Sequence, residues 1–188
     1  MTDTSTIDVP GYTAGTWVLD AAHSEVHFSV RHMMIAKVRG KFGVKSATLH
    51  APENPLEARV EASVDATSLD TNDENRDAHL RSADFFDVEQ YPTIEFRSTG
   101  VRLEAGEFLV DGDLTIRGIT KPVTFDFEFG GFGKDPIYSS YKAGATATTV
   151  INREDFGLTW NAALETGGVL VGKDVTITLE LEGALQED

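Results

Sequence analysis

The chain has 188 residues, with 16 Lys and Arg against 31 Asp and Glu, a formal net charge of −15, and no cysteine. An acid excess of this size argues against gripping nucleic acid or an anionic membrane surface, both of which need clustered cations. The missing cysteine excludes disulfide staples, thiolate nucleophiles and cysteine-bearing metal sites.

With 40% hydrophobic residues, a chain of this length is expected to form one folded domain. Residues 1–14 are small and polar and read as a flexible N-terminal tail, with a single domain over 15–184. The start has neither the basic nor the apolar region of a secretory leader. No apolar run approaches the ~18 residues of a membrane helix. A cytoplasmic protein without stable membrane insertion is the expectation.

Period two dominates the chain. Val26, Phe28 and Val30 oppose His27, Ser29 and Arg31. The run Ala58-Arg-Val-Glu-Ala-Ser-Val-Asp-Ala66 alternates throughout, which puts Val60, Ala62 and Val64 on one face. Ile94 and Phe96 oppose Glu95 and Arg97. Val123, Phe125, Phe127 and Phe129 share a face, as do Val175, Ile177, Leu179 and Leu181. Such patterning belongs to antiparallel strands with one apolar and one wet face. Ala105-Gly106 marks a tight hairpin, Arg117-Gly118 interrupts the next pair of strands, and Gly130–Pro136 and Ala51–Pro55 mark longer loops.

About eight strands result, over 16–32, 37–50, 56–66, 92–104, 107–117, 121–130, 138–152 and 170–183. Their length and one-sided wetness predict an all-β, eight-stranded antiparallel barrel. One helix interrupts them. Thr71-Asn-Asp-Glu74 matches a capping box with Thr71 as N-cap, which predicts a helix over about 72–82 lying across one mouth of the barrel.

Residues able to carry chemistry are few. His23 and His27 fall on the wet face and read as surface side chains. His32 shares the parity of Phe28 and Val30 and should point inward, as a hydrogen-bonded core histidine or as a contact to a ligand head group. His79 lies on the helix with Arg76 and Asp77 and reads first as a hydrogen-bonding group that orients it. The acidic stretch from Asp70 does not form a calcium loop, because Asn75 and Arg81 stand where glycine and glutamate are needed. Nucleophile-elbow, phosphate-loop and zinc-helix motifs are absent. The acids Asp126, Glu128, Glu180 and Glu182 face outward as a solvated coat.

The apolar interior remains. Strands of ~12 residues at ~3.3 Å rise run ~40 Å. Tilted by about 40°, they make a barrel roughly 30 Å tall. Patterning alone leaves two outcomes open: an interior filled by side chains, or one holding a long, thin apolar ligand.

An ordered set of segments carries a family resemblance. It comprises Gly15-Thr-Trp-Val-Leu-Asp20, Ala22-His-Ser-Glu-Val-His-Phe-Ser-Val-Arg-His-Met33, Gly40-Lys-Phe42, Arg76-Asp-Ala-His-Leu-Arg-Ser82 and Asp84-Phe-Phe-Asp87. It continues through Tyr91-Pro-Thr-Ile-Glu-Phe96, Gly112–Val123 and Ile151-Asn-Arg-Glu-Asp-Phe-Gly-Leu158. In this order and spacing, over about 15–183, the chain resembles the YceI-like family.

The resemblance implies a lipocalin-like barrel with a helix near one end. Its tunnel would bind a polyisoprenoid, such as a polyprenyl quinone or its precursor, for sequestration or transport. Such proteins are generally not regarded as enzymes and need no cofactor beyond the bound lipid. Homodimers are common among them, and many are periplasmic. The ligand contacts it implies are the inward positions Phe28, Val30, Phe42, Val60, Ala62, Val64, Phe85, Phe86, Ile94, Phe96, Phe125, Phe127, Ile177 and Leu179. His32, Arg76 and His79 would supply polar contacts near the mouth. Catalytic residues, metal ligands and nucleic-acid partners are not implied.

Overall fold

A computed structural model describes residues 7–187. Its strands are β1 (Gly15–Leu19), β2 (Glu25–His32), β3 (Ala36–Ala51), β4 (Arg59–Asp70), β5 (Thr93–Glu104), β6 (Glu107–Ile116), β7 (Ile119–Lys134), β8 (Tyr141–Asn152) and β9 (Val171–Leu185). The helix α1 spans Glu74–Arg81, between β4 and β5.

All ladders are antiparallel. They run from β2 through β3, β4, β5, β6, β7, β8 and β9 and back to β2, so the sheet closes on itself. Closure removes the edges that an open sheet would expose. The expected eight-stranded antiparallel barrel is thus what the chain forms, with one change of detail.

The predicted strand 16–32 is two strands on one stave. β1 pairs β3 at Thr48–Ala51 and β9 at Gly183–Leu185, and β2 continues upward between the same two neighbours. A 3-10 turn at Ala21–His23 separates them, capped by the Asp20 side chain. Ser24 spans the break: its hydroxyl accepts from Glu182 N at 3.0 Å and donates to Glu182 O at 3.3 Å. The Ser24 hydroxyl thus gives Glu182 N an acceptor at the break, while Glu182 O also accepts from Asp20 N at 2.7 Å.

The predicted tight hairpin at Ala105-Gly106 forms, and the break at Arg117-Gly118 is a second one. Ala105-Gly106 and Arg117-Gly118 each take two successive positive φ values, the backbone twist that suits a two-residue connection. β7 runs on to Lys134, through the stretch expected as loop, and bulges between Phe129 and Gly131. Glycine at 131, with φ of 136°, permits that bulge.

The helix starts two residues later than the capping box suggests. Asp73 is its N-cap, accepting from Arg76 N at 3.0 Å. Thr71 is buried instead, donating its hydroxyl to Asp77 at 2.5 Å and its N–H to the same oxygen at 2.9 Å. The carboxylate of the helix thus holds the end of β4.

The solid core sits at the helix end of the barrel. Phe85, Leu114, Ile116, Ile151, Phe156 and Leu158 form a buried cluster there. A smaller one, Val110, Phe125 and Ala147, lies in the barrel wall. Residues 7–14, placed by sequence in a tail, pack on the opposite end: Tyr12 Oη donates to Pro52 O at 2.6 Å and Tyr141 Oη to Gly11 O at 2.7 Å. The rest of that expected tail, residues 1–6, lies outside the described residues.

Candidate functional site

The barrel encloses a cavity of about 330 Å³. It reaches from Tyr12, Trp17 and Phe132 at the tail end to Leu80, Phe85, Phe86 and Leu158 at the helix end. Every strand contributes inward-facing side chains to it, and nearly all are apolar. The expectation of a side-chain-filled interior and that of a hollow one each describe part of the barrel: the helix end is plugged and the length below it is hollow.

The apolar positions expected as ligand contacts line this cavity. β2 contributes Phe28 and Val30, and β3 contributes Phe42. β4 contributes Val60, Ala62 and Val64; β5 contributes Ile94 and Phe96. Phe125 and Phe127 come from β7, and Ile177 and Leu179 from β9. Phe85 and Phe86 close the helix end, with the Phe86 ring 5.3 Å edge-on from Phe42.

The three polar positions do not line the cavity. His32 follows a register shift between β2 and β9, where Val30 faces Val175 but His32 faces Val171. The extra residues of that shift lie on β9, since β2 keeps its register with β3 through His32 and Ala36. His32 is the last residue of β2, two residues nearer the hairpin tip than Val30, which lines the cavity. Arg76 is held by the strand end, donating Nε to Thr71 Oγ1 at 2.8 Å and Nη2 to Thr71 O at 2.7 Å. His79 lies on the outer side of the helix cap. Its Nε2 is 2.9 Å from Asp84 Oδ2, and its ring stands edge-on to Phe85 and Trp160 at 5.1 and 4.6 Å. Both side chains serve the cap.

Two features of the walls are not predicted by the sequence. The first is the small side of β8, where Ala143, Ala145 and Ala147 line the lumen. Their period-two spacing was legible, but alanine gives too weak a hydrophobic signal to assign a face. The second is Arg153, in the 3-10 turn Arg153–Phe156 after β8. It is 3% exposed and lies at the cavity wall. Among the described residues its guanidinium donates only to backbone carbonyls: Gly172 at 2.7 Å, Trp160 at 3.0 Å, Val171 at 3.3 Å, and Leu158. Burial lowers its pKa, and the neighbouring Glu154 carboxylate opposes the shift. No local sequence pattern announces an arginine that ties the loop 157–170 to the barrel through carbonyls.

The lining therefore offers little for chemistry. Its ionisable side chains are Tyr12, Glu95 and Arg153. Burial raises the Tyr12 hydroxyl above its ordinary pKa. The cluster of possible metal ligands among the described residues is Asp20, His23 and Glu182, on the outside of the barrel. A cation already serves it, because Lys142 Nζ lies 3.0 Å from Asp20 and 3.2 Å from Glu182. No helix among the described residues is long and apolar enough to cross a membrane.

The family model described as a YceI-like domain matches residues 17–183. A UPF0312 protein of Staphylococcus aureus strain N315 is 39% identical over 172 residues, covering 91% of this chain and 98% of that protein. Among solved structures, Burkholderia cenocepacia BcnA superposes with a TM-score of 0.74 at 23% identity, over 87% of this chain and 98% of that one. A Saccharophagus degradans domain described as polyisoprenoid-binding and implicated in plant cell wall breakdown reaches a TM-score of 0.66 at 15% identity, over 90% of this chain and 98% of its own. At these identities the two structures establish likeness of fold. The family match across the whole barrel, together with the close staphylococcal relative, makes this chain a member of the YceI-like family.

Proposed function

We propose that the barrel is a binding protein that encloses one long-chain isoprenoid-type amphiphile, such as a polyprenyl quinone or its precursor, and sequesters or carries it. The observation that carries this reading is the apolar cavity running along the barrel from Trp17 and Phe132 to Phe85 and Leu158. Burial of an alkyl chain gains about 0.8 kcal/mol per CH₂ removed from water, partly offset by ordering the chain. A lumen with apolar walls and very few ionisable groups favours containment over turnover. The name of the Saccharophagus degradans domain supports the ligand class.

A lipid- or amide-acting enzyme in the same lumen is the alternative. It would need a nucleophile or metal beside a base, and the lining residues offer Tyr12, Glu95 and Arg153.

The test is lipid extraction and native mass spectrometry of protein purified from its own host, paired with thermal shifts on adding polyprenyl quinones. Phe127→Asp, at a lining position, should abolish the shift, whereas Glu128→Lys, exposed on the same strand, should leave it intact. Equal effects of the two substitutions, or a natively purified protein that carries no lipid and gains no stability from quinone, would refute the proposal.

A further inference from the structure

We propose that the β2–β3 hairpin tip is a docking element for bilayers that contain anionic phospholipid. The tip is Met33-Met34-Ile35, residues 43%, 58% and 79% exposed. Val169, also exposed, belongs to the neighbouring loop, in which Gly168 lies against Met34. Large apolar side chains are thus gathered in water at one projecting point.

The backbone makes this choice of residues costly. Met33 and Met34 have φ values of 53° and 65°. Two successive left-handed positions are ordinarily filled by Asn, Asp or Gly. The methionines neither suit the turn nor fill a core, so neither turn geometry nor packing accounts for them.

The charge around the tip is the second observation. Between Val26 and Pro52 the chain has no Asp or Glu, yet it holds Arg31, Lys37, Arg39, Lys41 and Lys45, five of the 16 cations in a protein of net charge −15. Arg31 and Lys37 are direct cross-strand partners, an arrangement of like charges that costs stability. Arg31, Lys37 and Arg39 are exposed, and none of them has an acidic partner within 4 Å among the described residues. Lys41 has such a partner, Glu25 at 3.7 Å, and stands opposite Asp70.

An exposed apolar tip with cations just behind it matches the depth profile of a bilayer. Methionine and isoleucine can enter the boundary between head groups and acyl chains while Arg31, Lys37 and Arg39 meet lipid phosphates. A second copy of the chain would bring the same cations against each other, and three tip residues are too few for a stable protein interface. The tip lies at the helix end, where Leu80 and Phe86 close the cavity. Asp73, Glu74 and Asp84 on that rim restrict the contact to the hairpin side. The overall negative charge then keeps the association peripheral and reversible.

The experiment is co-sedimentation of the full chain with phosphatidylcholine vesicles with and without phosphatidylglycerol. The expected result is binding only to the mixed vesicles, lost when salt is raised to about 0.5 M. Met34→Asp with Ile35→Asp, at exposed positions, should lower binding at least about tenfold. Arg31→Gln, Lys37→Gln and Arg39→Gln should each cost roughly fivefold. Ile137→Asp, at an 80% exposed site on the opposite end, should leave binding unchanged. Absence of binding to mixed vesicles would overturn the proposal, as would equal loss in Ile137→Asp. So would a tip variant that binds vesicles normally but shifts the oligomeric state in size-exclusion chromatography, because the tip would then be a contact between copies.

Discussion

Phe127 of β7 and Ala147 of β8 are direct cross-strand partners. The same relation recurs as Phe129 with Ala145 and, past the bulge, as Phe132 with Ala143. Each ring has a methyl group beside it where a second large side chain would fill the lumen. The hollow thus depends on small residues as much as on apolar ones.

Enlarging one of those alanines should close the hollow. Ala145→Phe is expected to reduce quinone uptake at least about tenfold while the far-ultraviolet circular dichroism of the barrel persists. Thr146→Phe, at a position whose hydroxyl bonds Glu180 on the outside at 3.2 Å, should bind as the parent does. Uptake unchanged in Ala145→Phe would show that ligand lies elsewhere.

Gly40 and Phe28 form a second size-dependent pair. They are cross-strand partners, and a Cβ at 40 would lie 2.4 Å from Phe28 Cζ and 2.8 Å from Thr71 Cγ2. Gly40→Ala should destabilise the fold by about 1–3 kcal/mol in urea unfolding. Adding Phe28→Leu should recover part of that loss, since the two sites share one clash. Fully additive effects would contradict the contact.

Arg153 holds the loop 157–170 to the barrel through carbonyl oxygens. Arg153→Met should cost about 3 kcal/mol or more, because several acceptors lose their donor together. Arg153→Lys should rescue little, since an ammonium cannot reach acceptors spread around a planar guanidinium. Hydrogen exchange should localise the loosening to 157–172; a uniform change across the barrel would argue for a different role.

The Asp20 network sets a pH dependence. The hydrogen bond from Lys142, and then that from His23, holds the Asp20 carboxyl down to about 2 from 3.8. Its contribution is present above 3.8 and is lost as pH falls through about 2. Asp20 in turn raises the His23 pKa above 6.5, so that contribution is complete below 6.5 and is lost as pH rises through the folded value. The groups are partly or largely exposed, so the effect is small and screened by salt. Asp20→Asn keeps an acceptor for the 3-10 cap and removes the charge. The gap in melting temperature between parent and Asp20→Asn should peak at about pH 5 and narrow on both sides. A gap independent of pH would refute this account.

How much of this was legible in the sequence follows from the range of each signal. Alternation is local, so Phe28, Val60, Phe96, Phe125, Ile177 and Leu179 could be placed on the inner wall from their own strands. Turn chemistry is local too, and Ala105-Gly106 and Arg117-Gly118 form where expected. His32 is the last residue of β2, beyond Val30 on the lining, and strand parity gives a face but not how far along the strand the lumen extends. Thr71 reads as a cap because Glu74 stands three residues on, whereas the buried carboxylate of Asp77 competes for its hydroxyl and wins.

By itself, then, the sequence determined the all-β class, the faces of the strands, the tight turns and the family, each written in short-range pattern or ordered motif. Only the tertiary structure decided that β1 and β2 share a stave, that the helix end is plugged while the length below is hollow, and that Arg153 ties the loop 157–170 in place. Those outcomes depend on which residues distant strands bring together, and the volume left between them is a property of the closed barrel rather than of any one strand.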